Sequence, residues 1–182
     1  SKWGGRQTIT GPVLTIPFTK VVMSDGKAQT VFQNLYILPE SLKVNSVLKP
    51  EIRYRGIFEV VLYQSEVNLD AEFQLPNLKE HGIAPEQMLW DQAFFALGIS
   101  DLKGIQDMVV IKAGDSVLTA NPSVLTNGYL SSGLSAKYPV DPNKLTIQFS
   151  TRLNLNGSGE FYLVPAGKET KATVTANWGN PS

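Results

Sequence analysis

Apolar and polar residues alternate with a period of two along much of this chain. In segment 145–155 every second residue is apolar or threonine, and segment 67–73 repeats the pattern with Val, Leu, Ala and Phe. Such alternation is typical of β-strands that bury one face and expose the other. About eight to ten segments of this kind, separated by turn-forming residues, predict a mainly β fold. We expect an antiparallel β-sandwich or a strongly bent sheet.

Turn signals divide these strands. The Asp25-Gly26 dipeptide predicts a tight hairpin, and Gly114-Asp115 predicts a second one between segments 108–111 and 116–119. Segment 51–73 is the longest strand-like region, and Gly56 within it indicates a bulge or a close backbone approach. Segment 120–143 has no regular period and predicts a loop with at most one short element near 129–134.

One stretch has the spacing of a helix instead. Its apolar residues recur at steps of three and four, Pro85 suits a first helical turn, and Gly98 suits a helix end. The apolar residues concerned are Leu89, Trp90, Ala93, Phe94 and Leu97. The pattern predicts one α-helix over about 85–97, covering one face of the sheet.

Composition excludes several classes of protein. The 182 residues include no cysteine, which removes disulfides and thiolate chemistry. Sixteen Lys and Arg balance sixteen Asp and Glu, so the chain lacks the positive field that nucleic-acid binding needs. No apolar run approaches the roughly 18 residues of a membrane-spanning helix. A chain of this length buries a sizeable core unaided.

Catalytic and metal-binding patterns are absent from the sequence. His81 is the only histidine, and it lies in a polar loop, where a solvated side chain is the ordinary interpretation. Asp101 and Asp107 flank Gly104, as turn-forming carboxylates do. We therefore predict no enzyme activity, no metal site and no cofactor.

Two groups of residues are candidates for an interaction surface. Ser100, Asp101, Lys103 and Gly104 follow the predicted helix and have no packing explanation. Arg53 and Arg55 lie two residues apart, so they share one face of a strand. The two arginines suit an acidic partner, although pairing with carboxylates across a strand is the more common arrangement.

Five stretches, in order and spanning nearly the whole chain, resemble the CreD family of bacterial inner-membrane proteins. They are residues 3–17, 36–42, 48–60, 90–106, and 161–167 running into 177–182. None is a catalytic signature, and the resemblance is weakest over 120–143.

The resemblance implies that residues 1–182 form a single periplasmic domain, placed after one transmembrane helix and before several others. The absence of an initiator Met is consistent with such an excised region. The resemblance also implies links to cell-envelope integrity, envelope stress, a two-component regulatory system and colicin tolerance. We expect a non-enzymatic domain that binds a protein or envelope component and contacts its own transmembrane helices. The alternative is a β module that binds a glycan, lipid or peptide.

Overall fold

The computed structural model describes residues 4–124, 132–158, 161–165 and 169–176. Within them, twelve strands form two six-stranded sheets. The first sheet contains β1 (Gln7–Ser24), β2 (Lys27–Ile37), β5 (Phe94–Ile99), β8 (Asn121–Val124), β9 (Ser132–Lys137) and β11 (Phe161–Pro165). The second contains β3 (Ser41–Arg55), β4 (Phe58–Gln74), β6 (Val110–Ala113), β7 (Ser116–Thr119), β10 (Thr146–Ser158) and β12 (Glu169–Ala176).

In neither sheet does the spatial order of the strands follow their order along the chain. The first sheet runs β11-β1-β5-β9-β8, and β2 pairs with the far half of β1. The second runs β12-β3-β4-β10-β6-β7. Most neighbours are antiparallel, but β11 lies parallel to β1 and β12 lies parallel to β3. The prediction of a purely antiparallel arrangement is therefore wrong at these two edges.

The two sheets pack face to face around one apolar core. Three phenylalanine rings meet at its centre: Phe95 of the first sheet lies 5.4 Å from Phe73 and 5.0 Å from Phe149 of the second, between ring centroids. The alternation in segment 67–73 is confirmed, since its apolar side chains are all buried. The sandwich predicted from the period-two pattern is thus the observed architecture.

The predicted helix over 85–97 is wrong, and the described residues contain no α-helix. The segment instead forms short 3-10 turns, Pro85–Gln87 and Trp90–Gln92, followed by strand β5. β5 lies between β1 and β9 in the sheet, and successive residues from Phe95 to Ile99 are all buried, so both of its faces are covered. A strand buried on both faces has an unbroken apolar run, which here also satisfies helical spacing. Gly98 is a paired strand residue and not a helix end.

Segment 51–73 is not one strand. Gly56, with a φ of 64°, and Ile57 form a turn between β3 and β4, which pair as far as Arg55 and Phe58. Segment 120–143 contains β8 and β9 and so is more than a loop; residues 125–131, including much of the short element expected there, lie outside the described residues. The hairpins at Asp25-Gly26 and Gly114-Asp115 are confirmed.

Both ends of the described chain lie at one pole of the sandwich, which we call the terminal pole. The Gly4 N–H donates to the Asn156 carbonyl at the end of β10. Ala176, the last residue of β12, heads a row of paired residues that continues through Leu48, Ser65 and Leu155. Three strand steps of about 4.8 Å place the two ends roughly 15–20 Å apart.

A hairpin extension leaves the sandwich at this same pole, and we call residues 52–61 the arm. Here β3 and β4 continue to pair with each other, from Ile52 and Val61 to the Gly56 turn. In the described residues, the pairing of β10 with β4 ends at Leu62, and the pairing of β12 with β3 ends at Leu48. Neither β10 nor β12 therefore flanks the arm. Four residues on each strand give the arm a length of about 13 Å. The tip of the β1–β2 hairpin lies at the opposite pole.

Candidate functional site

Residues 100–104 form a compact turn immediately after β5. Asp101 caps the 3-10 turn Leu102–Gly104, and its Oδ1 accepts a hydrogen bond of 3.0 Å from the Lys103 N–H. An acceptor at such a cap satisfies an N–H group that the turn itself leaves unpaired. Lys103 is exposed, whereas Gly104 is buried. The turn therefore presents one cation to solvent and packs its glycine inward.

The same turn fastens the first described residues of the chain. The other carboxylate oxygen of Asp101, Oδ2, accepts a hydrogen bond of 2.7 Å from the Gly5 N–H. The Ser100 hydroxyl accepts one of 2.7 Å from the Thr8 N–H and donates one of 3.0 Å to the Arg6 carbonyl. We call this set of contacts between residues 100–104 and 4–8 the Asp101 latch.

Gln7 is the buried centre of the latch. Its side chain is inaccessible to solvent and donates a hydrogen bond of 2.8 Å to the Asp101 carbonyl. Gly104 lies so close that a Cβ there would collide with the Gln7 side-chain amide and the Asn156 carbonyl. The glycine is therefore required by close packing, since its φ is not positive.

Tyr63, on β4, lies beside this centre. Burial raises the pKa of Tyr63 above its usual 10.0, and the Gln7 backbone N–H, which donates to the phenolic oxygen, opposes that rise. The hydroxyl also blocks the space over Gly157 of β10, where a Cβ would meet the tyrosine ring. The contacts of Tyr63 with Gln7 and Gly157 thus join the first sheet, through β1, to the second sheet, through β4 and β10.

This geometry leaves the polar atoms of Ser100 and Asp101 engaged with backbone groups. His81 lies in the 3-10 turn Leu78–His81, which follows β4 at the opposite pole, so it does not approach them. In the parts of the chain that the structure describes, no three His, Asp or Glu residues are grouped to hold a metal ion. The latch stabilises the fold; an interaction role for Ser100, Asp101, Lys103 and Gly104 stays a prediction.

The structure places Arg53 and Arg55 on the arm, both exposed and on one face of β3 as predicted. Arg53 pairs with Glu51 of its own strand, at 3.0 Å between Nε and Oε1. Arg55 lies opposite Phe58 in the ladder, and no carboxylate among the described residues pairs with it. Both arginines therefore sit at the terminal pole, as the latch does, but on a separate projection.

A shallow groove of about 370 Å³ lies between the base of the arm and Gln106, which follows the 3-10 turn Leu102–Gly104. Lys49 and Gln64 line it on the arm side, and Gln106 lines it on the turn side. Asn154 and Asn156 of β10 form its floor. The six candidate residues are thus brought to one pole but not into one contiguous site.

The most exposed apolar surface at this pole is not among the residues predicted from the sequence. Ile57, at the turn of the arm, is 92% exposed, and Phe58 is 70% exposed. The sequence predicts one strand-like region over 51–73, with Gly56 as a bulge or a close backbone approach within it. The signal that distinguishes an exposed hairpin is Gly56, because a positive φ between two pairing strands is typical of a two-residue turn.

Comparisons with known proteins point to one family. The model of the family described as inner membrane protein CreD matches residues 1–182. The inner membrane protein CreD of Escherichia coli (strain K12) is 29% identical over 185 residues, covering 98% of this chain. The chain spans 40% of the length of that relative. No solved structure matches.

Proposed function

This chain belongs to the CreD family of inner membrane proteins, and we propose that it forms a single periplasmic, non-enzymatic domain of a membrane protein. The observation that supports this most directly is the position of both described ends at the terminal pole. A domain carried between membrane segments needs both connections on the side that faces the bilayer. The opposite pole then projects into the periplasm.

We further propose that the domain supports cell-envelope integrity by binding a protein or another envelope component. The candidate residues favour binding over catalysis, because the side-chain oxygen atoms of Ser100 and Asp101 form hydrogen bonds with backbone N–H and carbonyl groups. Lys103 remains exposed beside them. These bonds orient both side chains toward the chain itself, whereas a nucleophile or general base is aimed at a substrate.

The groove at the terminal pole supports the alternative function, a module that binds a glycan or peptide. Its amide side chains, Gln64, Gln106, Asn154 and Asn156, offer donors and acceptors together. Calorimetric titration with soluble peptidoglycan fragments tests this alternative. Binding that is lost in Gln64→Ala but kept in Gln148→Ala, a change outside the groove, would favour it over a protein partner.

Cysteine labelling in the full-length protein tests the periplasmic location. Met23 is 70% exposed at the opposite pole, and this chain has no cysteine of its own. A membrane-impermeant maleimide should label Met23→Cys in cells whose outer membrane alone has been permeabilised, above the level seen in the unsubstituted protein. Labelling only after the inner membrane is lysed would place the domain in the cytoplasm and overturn the proposal.

Site-specific photocrosslinking tests the binding role. A photoreactive amino acid at Lys103 of the full-length protein should capture a discrete partner in growing cells. The same amino acid at Lys27, an exposed position at the opposite pole, should not. Cells lacking the protein should also become more sensitive to detergent, and the wild type should restore resistance. Unchanged sensitivity, with no product specific to Lys103, would contradict the proposal.

A further inference from the structure

We propose that the arm, residues 52–61, inserts its tip into the headgroup layer of the membrane that carries this domain. The inference rests on the proposed function, because it needs the terminal pole to face the bilayer. It adds a second attachment, made by the folded domain itself. The occupant is a lipid surface containing anionic phosphate headgroups.

The exposure of the arm is the first argument. Its apolar side chains include Ile57 at the turn and Phe58 beside it, exposed by 92% and 70%. Ile52, Tyr54 and Val61 are exposed as well. Adjacent apolar residues that a folded chain leaves in water mark a site of interaction with a partner or membrane. Here they lie beyond the core, so packing within the domain does not explain them.

The distribution of these side chains favours a lipid surface over a protein surface. Ile52 and Tyr54 continue the core-facing side of β3, whereas Phe58 lies on the other side of the hairpin. Ile57 occupies the apex. A flat protein surface would cover only one side of the hairpin, whereas a bilayer surrounds an inserted tip on every side. Tyrosine beside apolar residues is also typical of membrane interfaces.

The charges of the arm are consistent with anionic headgroups. Glu51, at its base, pairs with Arg53, and Glu59 accepts a hydrogen bond from the Tyr54 hydroxyl, which raises the pKa of that tyrosine. Both carboxylates are therefore engaged. Arg55, next to the turn, pairs with no carboxylate among the described residues and can reach a phosphate while its stem stays among apolar groups.

The position of the arm supplies the last argument. It projects from the pole at which Gly4 and Ala176 lie, and the Escherichia coli relative is an inner membrane protein. Linking segments at that pole would hold the arm near the bilayer. The β1–β2 hairpin also exposes apolar residues, Met23 by 70% and Phe32 by 73%, but at the opposite pole. It therefore provides matched controls.

The test uses the 182-residue chain with a C-terminal hexahistidine tag, tethered to vesicles of phosphatidylethanolamine and phosphatidylglycerol that contain a nickel-chelating lipid. Because the chain has no cysteine, Ile57→Cys and Met23→Cys each accept one environment-sensitive dye. The dye at position 57 should shift its emission to the blue and be quenched by lipids carrying a nitroxide near the headgroup. The dye at position 23 should do neither.

A second pair of variants measures the apolar contribution. Phe58→Glu, in the Ile57→Cys background, should reduce the ratio of inserted to uninserted arm by about tenfold or more, since a buried phenylalanine side chain is replaced by a charge. Phe32→Glu in the same background should change the ratio by less than about twofold. Circular dichroism confirms that both variants are folded, as expected for exposed positions.

Each outcome decides the matter. A blue shift and quenching confined to position 57, and lost in Phe58→Glu, support insertion. Equal signals at positions 57 and 23 overturn it. No signal at position 57 on vesicles that contain no other protein also overturns it, and would leave a protein partner as the alternative occupant of the arm. Periplasmic labelling of Met23→Cys with no insertion would refute the arm's role alone. Insertion with cytoplasmic labelling would refute the proposed location alone.

Discussion

Asp101 shows how a single carboxylate on a loop stabilises this fold. Its two oxygen atoms accept hydrogen bonds from backbone N–H groups 96 and 2 residues away, those of Gly5 and Lys103. We predict that Asp101→Asn lowers the free energy of unfolding by roughly 1–2 kcal/mol, because its amide NH2 group cannot accept the second bond. Urea denaturation measures the change.

Asp107 offers a matched control for this prediction. It is a nearby exposed aspartate whose Oδ2 accepts one hydrogen bond of 2.8 Å from the Asn154 side chain. Asp107→Asn should cost less than about 0.5 kcal/mol, as is usual for surface substitutions. If the two variants lose equal stability, the latch has no special part in holding residues 4–8.

The structural role of residues 100–104, which is to hold residues 4–8 in place, could not be predicted from local sequence. Ser100 and Asp101 look like polar residues on a free loop, because their partners belong to residues 5–8, more than ninety positions earlier. Gly104 was interpreted as a turn residue, whereas its lack of a side chain serves close packing against Gln7. Side-chain contacts over such separations leave no periodic signal in one sequence.

Tyr63 gives the molecule a dependence on alkaline pH. Burial raises its pKa in the folded state above 10.0, so the folded state holds the proton more tightly than the unfolded state. Stability from this group is complete below about pH 10. It is lost as the pH rises through the raised value. We predict that urea midpoints fall less steeply above pH 10 in Tyr63→Phe than in the wild type.

The comparison for Tyr63 is made at several pH values, since Tyr63→Phe also removes the acceptor of the Gln7 N–H. That loss lowers stability by about 1 kcal/mol at every pH. It therefore shifts the curve without changing its slope. Parallel curves for the two proteins between pH 9 and 11 would show that Tyr63 ionisation does not contribute.

Strands with one exposed face could be predicted from the sequence, whereas β5, which is buried on both faces, could not. Strands β4 and β10 each cover one face of the core, so alternation identifies them and their inward residues. β5 is buried on both faces, and its sequence Phe-Phe-Ala-Leu-Gly-Ile has no polar face to set a period. Its neighbours β1 and β9 determine its conformation, and neither is adjacent to it in sequence.

The arm is an element that the core does not need. Its residues are exposed except Val60, which is half-buried, and the last buried residues of β4 before it are Leu62 and Tyr63. We predict that replacing residues 52–61 by Asn-Gly, which closes the ladder at the Glu51–Leu62 pair, changes the free energy of unfolding by less than about 1 kcal/mol. Urea denaturation measures this change.

The arm replacement separates stability from membrane insertion. The shortened protein should keep the wild-type circular dichroism spectrum. When it is tethered to vesicles, a dye placed next to the new turn should show no blue shift and no quenching by nitroxide lipids. Replacing Asp25-Gly26 by Asn-Gly at the opposite pole is the control, and it should leave both properties unchanged. A loss of more than about 3 kcal/mol would mean that the arm belongs to the folded core.

For the whole molecule, the sandwich followed from the strand pattern but its connections did not. β11 and β12 are consecutive strands, yet each adds to a different sheet and lies parallel to a strand from the first third of the chain. Their alternation shows that they are strands without showing their partners. The shared pole of the two ends depends on these parallel pairings, so it could not be predicted either.

A circular permutant tests this shared pole. Joining Ser182 directly to Ser1 leaves nine residues between Ala176 and Gly4, which reach about 30 Å when extended. That span exceeds the 15–20 Å expected for one pole but is shorter than β10, whose 13 residues extend about 44 Å. With new ends opened between Asp25 and Gly26, we predict a folded protein with one cooperative thermal transition.

The control permutant joins Ala176 directly to Gly4 and has the same new ends. It has no linker to cross the row from β12 to β10, so it must unpair the end of β12 or break the Gly4–Asn156 hydrogen bond. Its midpoint should lie several degrees below that of the nine-residue permutant, because each kcal/mol of lost stability moves the midpoint of a protein this size by about 2–4 °C. An unfolded nine-residue permutant would show that the ends do not share a pole, and the orientation proposed for the membrane-facing arm would lose its geometric basis. Equal midpoints would show instead that the end of β12 and the Gly4–Asn156 hydrogen bond add no stability.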